Sequence, residues 1–291
     1  MSIPNRSAGV TFGILGMLGF SGTLVTTRVA VADFTALDIT CARIVIAGGL
    51  GAAFLFLTDQ RKPPERRFLL PIFVMGMGLA VGYPFFLAMA LETVPAVHGA
   101  VVTGLAPAAT AIIAVLRTGE RPPLAFWIAC ATGFCAILYF AYDAGGGHLS
   151  LADGWLLLGM LSLGIAYVEG GRVSRELGGS VTLSWAMLFL TPLATIPLLP
   201  RVHEIETATV SAASWVSMAY LGIVSMFLAS VLWYRGLALG GIARVGQINL
   251  LLPLVALGWA ALFLGEEVTA TALVCAAIVL AAMTVCIRTR Q

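Results

Sequence analysis

The sequence predicts an all-α integral membrane protein with ten transmembrane helices, arranged as two inverted five-helix repeats. Of the 291 residues, 60% are apolar and only 10% are charged, whereas a soluble domain carries about 25% charged residues. Apolar runs recur from Val10 to Ile287 with short polar breaks between them. The second half of the chain also repeats a pattern of the first half. A soluble surface cannot cover so much apolar sequence, so we expect a bilayer as the solvent.

Each predicted helix is an apolar run of about 20 residues, the length that crosses the hydrocarbon core. Breaks at charged or Gly/Pro-rich connections give the spans 9–31, 37–58, 68–91, 95–116, 123–142, 153–173, 181–199, 212–236, 243–264 and 269–287. The first run is too long for a signal peptide and has no small-residue cleavage site, so we interpret it as a span.

The basic residues predict how the helices are oriented, because cytoplasmic loops are enriched in Lys and Arg. One set of alternate connections contains Arg6, Arg61, Lys62, Arg66, Arg67, Arg117, Arg121, Arg172, Arg175, Arg235, Arg244, Arg288 and Arg290. The opposite set contains only Arg28 and Arg201. We therefore expect a multi-pass protein of the cell (inner) membrane with both termini in the cytoplasm.

An internal repeat appears when the sequence is shifted by 146 residues against itself. The shift aligns Leu91 with Leu237, Pro107 with Pro253, Ala114 with Ala260, Leu116 with Leu262, Gly119 with Gly265 and Glu120 with Glu266. The shared spacing from proline to Gly-Glu favours a true repeat over chance matching of apolar sequence. We predict one repeat over 1–146 and another over 147–291. Each has an odd number of helices, so the second is inverted in the membrane.

The paired prolines Pro107 and Pro253 predict a substrate cavity with a hinge in each half. Proline has no N–H to donate to the carbonyl four residues earlier, and those carbonyls belong to Thr103 and Asn249. An unpaired carbonyl in hydrocarbon costs several kcal/mol unless it faces protein or water. Thr103 and Asn249 are therefore candidate substrate-binding residues. The alternative is a structural kink whose carbonyl bonds to a neighbouring helix.

Three further side chains are candidates for the same site. Tyr83 is predicted at mid-span, where an isolated hydroxyl is expensive, so it is expected to contact substrate. His98 is either a hydrogen-bonded residue near a helix end or a group that titrates near neutral pH and couples protons to transport. Arg43 either binds a substrate carboxylate, extends its charge to the membrane surface, or pairs with Asp38.

Several classes of partner and cofactor are not expected. The net charge of +2 and the scattered basic residues argue against nucleic acid. The five cysteines lie in apolar runs without C-x-x-C spacing, so they indicate no disulfide or metal site. No cofactor is implied, and a single copy suffices for transport, although a homo-oligomer is compatible with the sequence. The absence of mid-span carboxylates and of a Lys/Arg cluster favours a zwitterionic, neutral or moderately apolar solute over phosphates.

An intramembrane enzyme and a membrane sensor or scaffold are the rival interpretations. The sequence lacks G-x-x-x-x-G-K, H-E-x-x-H and G-x-S-x-G, so neither a phosphate-binding loop nor a hydrolase site is indicated. No soluble domain is available for signalling. We therefore expect no catalytic residues.

The chain also resembles a known family over essentially its whole length. The similar segments are Ala42-Arg43, residues 88–91 and 236–239, and the Gly-Glu pairs at Gly119 and Gly265, each about a dozen residues after a proline. Together they are similar to the drug/metabolite transporter superfamily, EamA type. Where that family often has Trp-Gly in its first span, this chain has Phe20-Ser21-Gly22, so a role for that Trp does not carry over.

The resemblance implies an exporter of small metabolites that works by alternating access. We expect amino acids, with aromatic or apolar side chains favoured. Drug efflux and nucleoside or purine export are the alternatives within the family, whose members share a fold more reliably than a substrate.

Overall fold

The structure, a computed structural model, describes residues 6–118, 123–204, 209–240, 245 and 247–289, and it is helical, without strands, over those residues. Its helices in chain order are α1 (Arg6–Ser21 and Thr23–Ala30), α2 (Ala36–Leu57), α3 (Arg66–Gly76, a π-helical stretch Met77–Gly82, and Tyr83–Leu91), α4 (Ala96–Thr103 and Ala106–Thr118), α5 (Leu124–Ala144), α6 (Leu151–Leu177), α7 (Gly179–Glu204), α8 (Ala212–Ala219, a π-helical stretch Tyr220–Leu228, and Ala229–Gly240), α9 (a 3-10 turn Gln247–Leu251, then Leu252–Leu264) and α10 (Ala270–Thr289).

The helices have the length and apolar character of membrane spans. Within the described residues, α1 to α8 each provide a helix long and apolar enough to cross a bilayer, and two shorter apolar helices, Ile248–Leu264 and Ala270–Cys286, follow. Large apolar side chains cover the outside: Leu70 is 70% exposed, Leu116 76% and Phe263 67%. These surfaces suit lipid contact. Eight of the ten predicted crossings are thus long enough on this criterion, and the crossing by α9 and α10 stays a prediction.

Helix boundaries recur at a fixed distance along the chain. Pairs of helix starts that are 146 residues apart are Arg66 and Ala212, Ala106 and Leu252, and Leu124 and Ala270. The irregular parts recur as well, because α3 contains the π-helical stretch Met77–Gly82 and α8 contains Tyr220–Leu228. The two halves therefore have similar secondary structure, interrupted at equivalent places.

Pro107 and Pro253 do not bend continuous α-helices as the sequence predicted. The α-helix of α4 ends at Thr103 and a new one begins at Ala106, and in α9 a 3-10 turn precedes the helix that begins at Leu252. Each proline is the second residue of the new helix. Proline is tolerated in a first helical turn because the N–H it lacks would have no intrahelical partner there. The prolines therefore mark helix starts rather than kinks.

The two halves pack intimately against each other. Helix α2 lies against α7, α5 against α10, α3 against α6, and α1 against the last part of α8. The contact of α1 with α8 depends on glycine. A methyl group on Gly16 would lie 2.9 Å from the backbone nitrogen of Trp233 and 3.0 Å from the carbonyl oxygen of Ala229. Backbone atoms cannot move aside as a flexible side chain can, so this position requires the smallest residue.

We predict that Gly16→Ala destabilises the protein by about 1–3 kcal/mol, the usual cost of overpacking a close contact. The matched control is Gly49→Ala in α2, where an added methyl group would meet nothing within 4 Å and where alanine is the better helix former. Thermal unfolding in detergent, followed by tryptophan fluorescence, measures both. Equal thermal-unfolding midpoints for the two variants would show that the close packing of α1 against α8 does not depend on Gly16.

Candidate functional site

A central cavity lies where the irregular parts of both halves meet. Its empty space, counted with the part that opens to solvent, is about 830 Å³. Its lining includes all but one of the side chains that the sequence singled out: Arg43, Tyr83, Thr103, Pro107, Asn249 and Pro253. His98 is not among the lining residues.

The helix interruptions place the cavity lining. Tyr83 directly follows the π-helical stretch of α3, and Ser225 and Met226 lie within that of α8. Thr103 and Asn249 lie at the interruptions of α4 and α9. π-Helical stretches are frequent at functional sites because they shift the register of the helix and expose backbone groups. The irregular parts of α3, α4, α8 and α9 therefore all contribute to one space.

Arg43 is the basic residue among those that line the cavity, and it is only 2% exposed. Its Nη2 lies 3.4 Å from the hydroxyl of Ser225, while its Nε and Nη1 have no hydrogen-bond partner within the described chain. Asp38 instead pairs with Arg201, whose Nη2 donates to Asp38 Oδ2 over 3.1 Å. The predicted alternatives of a pair with Asp38 and of extension to the membrane surface are therefore both wrong.

Two polar residues contributed by α4 and α9 occupy equivalent places in the repeats. Thr103 is buried, and its hydroxyl donates to the carbonyl of Ala100 over 3.0 Å, which leaves its oxygen free to accept. The side-chain oxygen of Asn249 is buried and has no partner among the described residues. The cavity thus contains free donors on one residue and a free acceptor on another.

Aromatic and hydroxyl groups complete the lining. Phe20, Tyr83 and Tyr167 provide rings, and the hydroxyls of Thr23 and Ser225 are hydrogen bonded over 2.7 Å. Sequence reasoning did not find Tyr167, Thr23 or Ser225 as site residues. Ser225 is the repeat equivalent of Leu79, which also lines the cavity, but neither residue stands out in the sequence alone. Tyr167 lies within a regular helix, and no sequence signal pointed to it either.

His98 makes its contacts at the start of α4, away from the cavity. Its Nε2 lies 2.6 Å from Asp153 Oδ1, and both side chains are nearly buried. Asp153 also accepts from the backbone nitrogen and the hydroxyl of Ser150, which caps α6. The ring of Phe140 covers the imidazole at 5.2 Å. His98 therefore links the ends of two helices from different halves.

Glu266 caps a helix of the first half. Its two carboxylate oxygens accept from the backbone nitrogens of Ala96 and Val97, over 2.9 and 2.7 Å. These are the first free N–H groups of α4, where a negative charge is favourable. The repeat equivalent, Glu120, lies outside the described residues.

Glu169 has two arginine partners. Arg172 donates to Glu169 over 3.0 Å, and Arg117 at the end of α4 donates to it over 2.9 Å.

At the opposite end of the helices, Asp33 accepts from the backbone nitrogen and hydroxyl of Ser211. Hydrogen bonds from Ser214 and Ser211 hold the pKa of Asp33 below its usual value.

Comparisons with known proteins agree with the architecture. The EamA-like transporter family matches residues 7–142 and 150–288. The uncharacterized transporter YdeK of Bacillus subtilis (strain 168) is 40% identical over 256 residues, 88% of this chain and 88% of the relative. The aromatic amino acid exporter YddG of Ancylobacter novellus is 26% identical over 266 residues, 86% and 87% of the two chains. One solved crystal structure shares the fold at a TM-score of 0.61 and 19% identity, over 97% of this chain and 99% of its own.

Proposed function

Because the chain belongs to the EamA-like transporter family, we propose that it exports amino acids, with aromatic or apolar side chains favoured, through the central cavity. The observation that supports this most directly is the composition of the cavity wall. It combines three aromatic rings, a few hydroxyl and amide groups and one buried guanidinium. Such a wall suits a small solute that has an apolar body and a polar end. The similarity to an aromatic amino acid exporter favours the same class.

The proposed mechanism is alternating access between two inverted repeats, residues 1–146 and 147–291. The cavity is lined from both halves, and the irregular stretches of each half meet there. Inverted repeats that rock about such a site open it to one side of the membrane at a time. Pro107 and Pro253 are proposed as the hinges, since each begins a new helical piece next to the cavity.

We further propose ten crossings with both termini in the cytoplasm of a bacterial-type cell membrane. Arg67, Arg117 and Arg172 lie at helix ends that would then face the cytoplasm, in keeping with the enrichment of basic residues on that side. Asp38, Arg201 and His98 would lie toward the outside. His98 is then a candidate for proton coupling through its contact with Asp153, and facilitated transport without coupling is the alternative.

Efflux of drugs or of nucleosides and purines is the second candidate function. Only the family resemblance supports it. Such solutes do not need to have a carboxylate, so they do not require the buried charge of Arg43. Catalysis or signalling has no supporting observation within the described residues. The proposed partners are accordingly a small-molecule substrate and the lipid bilayer, and one copy of the chain contains the whole cavity.

The proposed orientation predicts which loops react from which side. In a background with the exposed Cys135 replaced by alanine, a cysteine at the exposed position His148 should react with a membrane-impermeant maleimide from outside only. The matched control at Gln60, in a basic loop, should react only after the membrane is opened. Reaction at His148 from the cytoplasmic side alone would reverse the assignment.

The proposed substrate class predicts flux of labelled phenylalanine and leucine in proteoliposomes, well above that of protein-free vesicles. Serine should move more slowly because it gains little from the aromatic wall. A purine, a nucleoside and a sugar phosphate complete the panel. Flux of the purine or nucleoside without amino-acid flux would favour the second candidate, and flux of the sugar phosphate alone would contradict both.

The paired prolines are predicted to control opening more than binding. In Pro107→Ala or Pro253→Ala, the restored N–H can extend the later helix backwards, and a shift of a few kcal/mol is enough to trap one state. Transport should fall substantially, while binding to the detergent-solubilised protein stays within about tenfold, or 1.4 kcal/mol. Pro197→Ala in α7, outside the cavity lining, is the control and should transport normally. Wild-type flux in both hinge variants would remove their proposed role.

A further inference from the structure

The cavity contains buried polar atoms that the described part of the chain leaves without hydrogen bonds. They are Nε and Nη1 of Arg43 and Oδ1 of Asn249, and both residues line the same space. Buried polar groups in folded proteins are nearly always hydrogen bonded to protein or water, and leaving one unpaired costs about 1–3 kcal/mol. Two residues with unmet hydrogen-bonding capacity in one cavity indicate the chemistry of the group that fills it.

Arg43 requires an anion. Among the described residues that line the cavity none is Asp or Glu, and the carboxylate of Asp38, five residues earlier in the same helix, is already bonded by Arg201 and by Thr35. A guanidinium in the membrane interior without a counter-charge is costly. One positive charge matches a carboxylate, which carries a single negative charge, better than a phosphate, which carries up to two. The planar guanidinium also suits the geometry of carboxylate oxygens.

Asn249 requires a hydrogen-bond donor. Its free side-chain oxygen can only accept. The hydroxyl of Thr103, which donates to the carbonyl of Ala100, can also accept, and Thr103 lines the same cavity. Acceptors from both halves therefore lie around the cavity, and an ammonium group, with three donors, would satisfy both at once.

A cationic group can lie close to Arg43 only if a negative charge in the same ligand balances it. A free amine would add a second positive charge to a cavity whose described lining contains no acidic residue. In a zwitterion the carboxylate is held beside the ammonium and balances most of its charge. The rings of Phe20, Tyr83 and Tyr167 can then contact both the ammonium, through their faces, and an apolar side chain. Neither a simple amine nor a simple carboxylate uses all of these groups.

We propose that the cavity recognises the α-amino acid group as a unit, with Arg43 binding the carboxylate and Asn249 accepting from the ammonium. This inference rests on the proposed function and narrows it, because it makes both ends of the zwitterion obligatory. The side chain of the amino acid then lies against the aromatic wall, which tolerates several apolar shapes. The cavity would require both charged groups of the amino acid and would discriminate only weakly among apolar side chains.

The test uses three ligands that share a phenyl ring and differ in one polar group. They are L-phenylalanine, phenethylamine, which lacks the carboxylate, and 3-phenylpropanoate, which lacks the ammonium. Binding to the full-length protein in detergent is measured by isothermal titration, and flux of each labelled compound is measured in proteoliposomes. We expect phenylalanine to bind at least tenfold more tightly than either analogue and to be the one that is transported. Equal binding of phenethylamine and phenylalanine would overturn the proposal without any variant being needed.

Variants then assign each polar group to its residue. In Arg43→Gln, the preference for phenylalanine over phenethylamine should fall below about threefold, while its preference over 3-phenylpropanoate persists. Asn249→Leu should give the converse pattern. Arg43→Lys keeps the charge and should retain part of the carboxylate preference, which also guards against a folding defect in Arg43→Gln. Arg235→Gln is the matched control, since Arg235 lies over the ring of Phe12 outside the cavity lining, and its preferences should equal those of the wild type.

The outcomes separate this inference from the proposed function. Flux of amino acids with unchanged ligand preferences in both cavity variants would support the transporter assignment and overturn the roles of Arg43 and Asn249. Flux of purines or nucleosides without amino-acid flux would overturn both. Loss of the carboxylate preference in Arg43→Gln together with loss of the ammonium preference in Asn249→Leu would support the inference.

Discussion

Backbone amide and carbonyl groups find no water in the hydrocarbon core, and this constraint governs the whole structure. Regular helices satisfy these groups internally, so an interruption is tolerated only where protein or a water-filled space can replace the lost bonds. The interruptions of α4 after Thr103 and of α9 before Leu252 both border the central cavity. The position of the cavity therefore follows from the positions of the interruptions.

Two carboxylates that lie mostly buried in the structure are paired with arginines. Glu169 is paired with Arg117 and Arg172 at helix ends, and Asp38 is paired with Arg201, so those charges are neutralised where they enter the low-dielectric interior. Arg43 differs, because two of its nitrogens have no partner in the described chain. A buried charge that the fold leaves uncompensated is more readily explained by a ligand than by stability.

The internal repeat explains why one cavity can have two chemically distinct ends. The halves share helix starts and irregular stretches, yet the side chains at equivalent places differ. Thr103 corresponds to Asn249, and the apolar Leu79 corresponds to the polar Ser225, so the two halves contribute similar backbone frameworks with different side chains. The proposed hinges would then be alike in both halves, whereas the polar groups that line the cavity differ between them.

The sequence by itself determined the all-helical membrane architecture, because composition and the length of apolar runs are local properties. The repeat offset also identified Pro107, Pro253, Thr103 and Asn249 as cavity residues, since a missing N–H has its consequence four residues away. Only the tertiary structure decided which groups far apart in the sequence meet. Glu266 caps a helix that begins at Ala96, Arg201 takes the partner predicted for Arg43, and His98 turns to Asp153 instead of the cavity. These hydrogen-bond partners depend on how the helices pack. Because several side chains of suitable charge are available for each group, spacing along the chain cannot show which of them it meets.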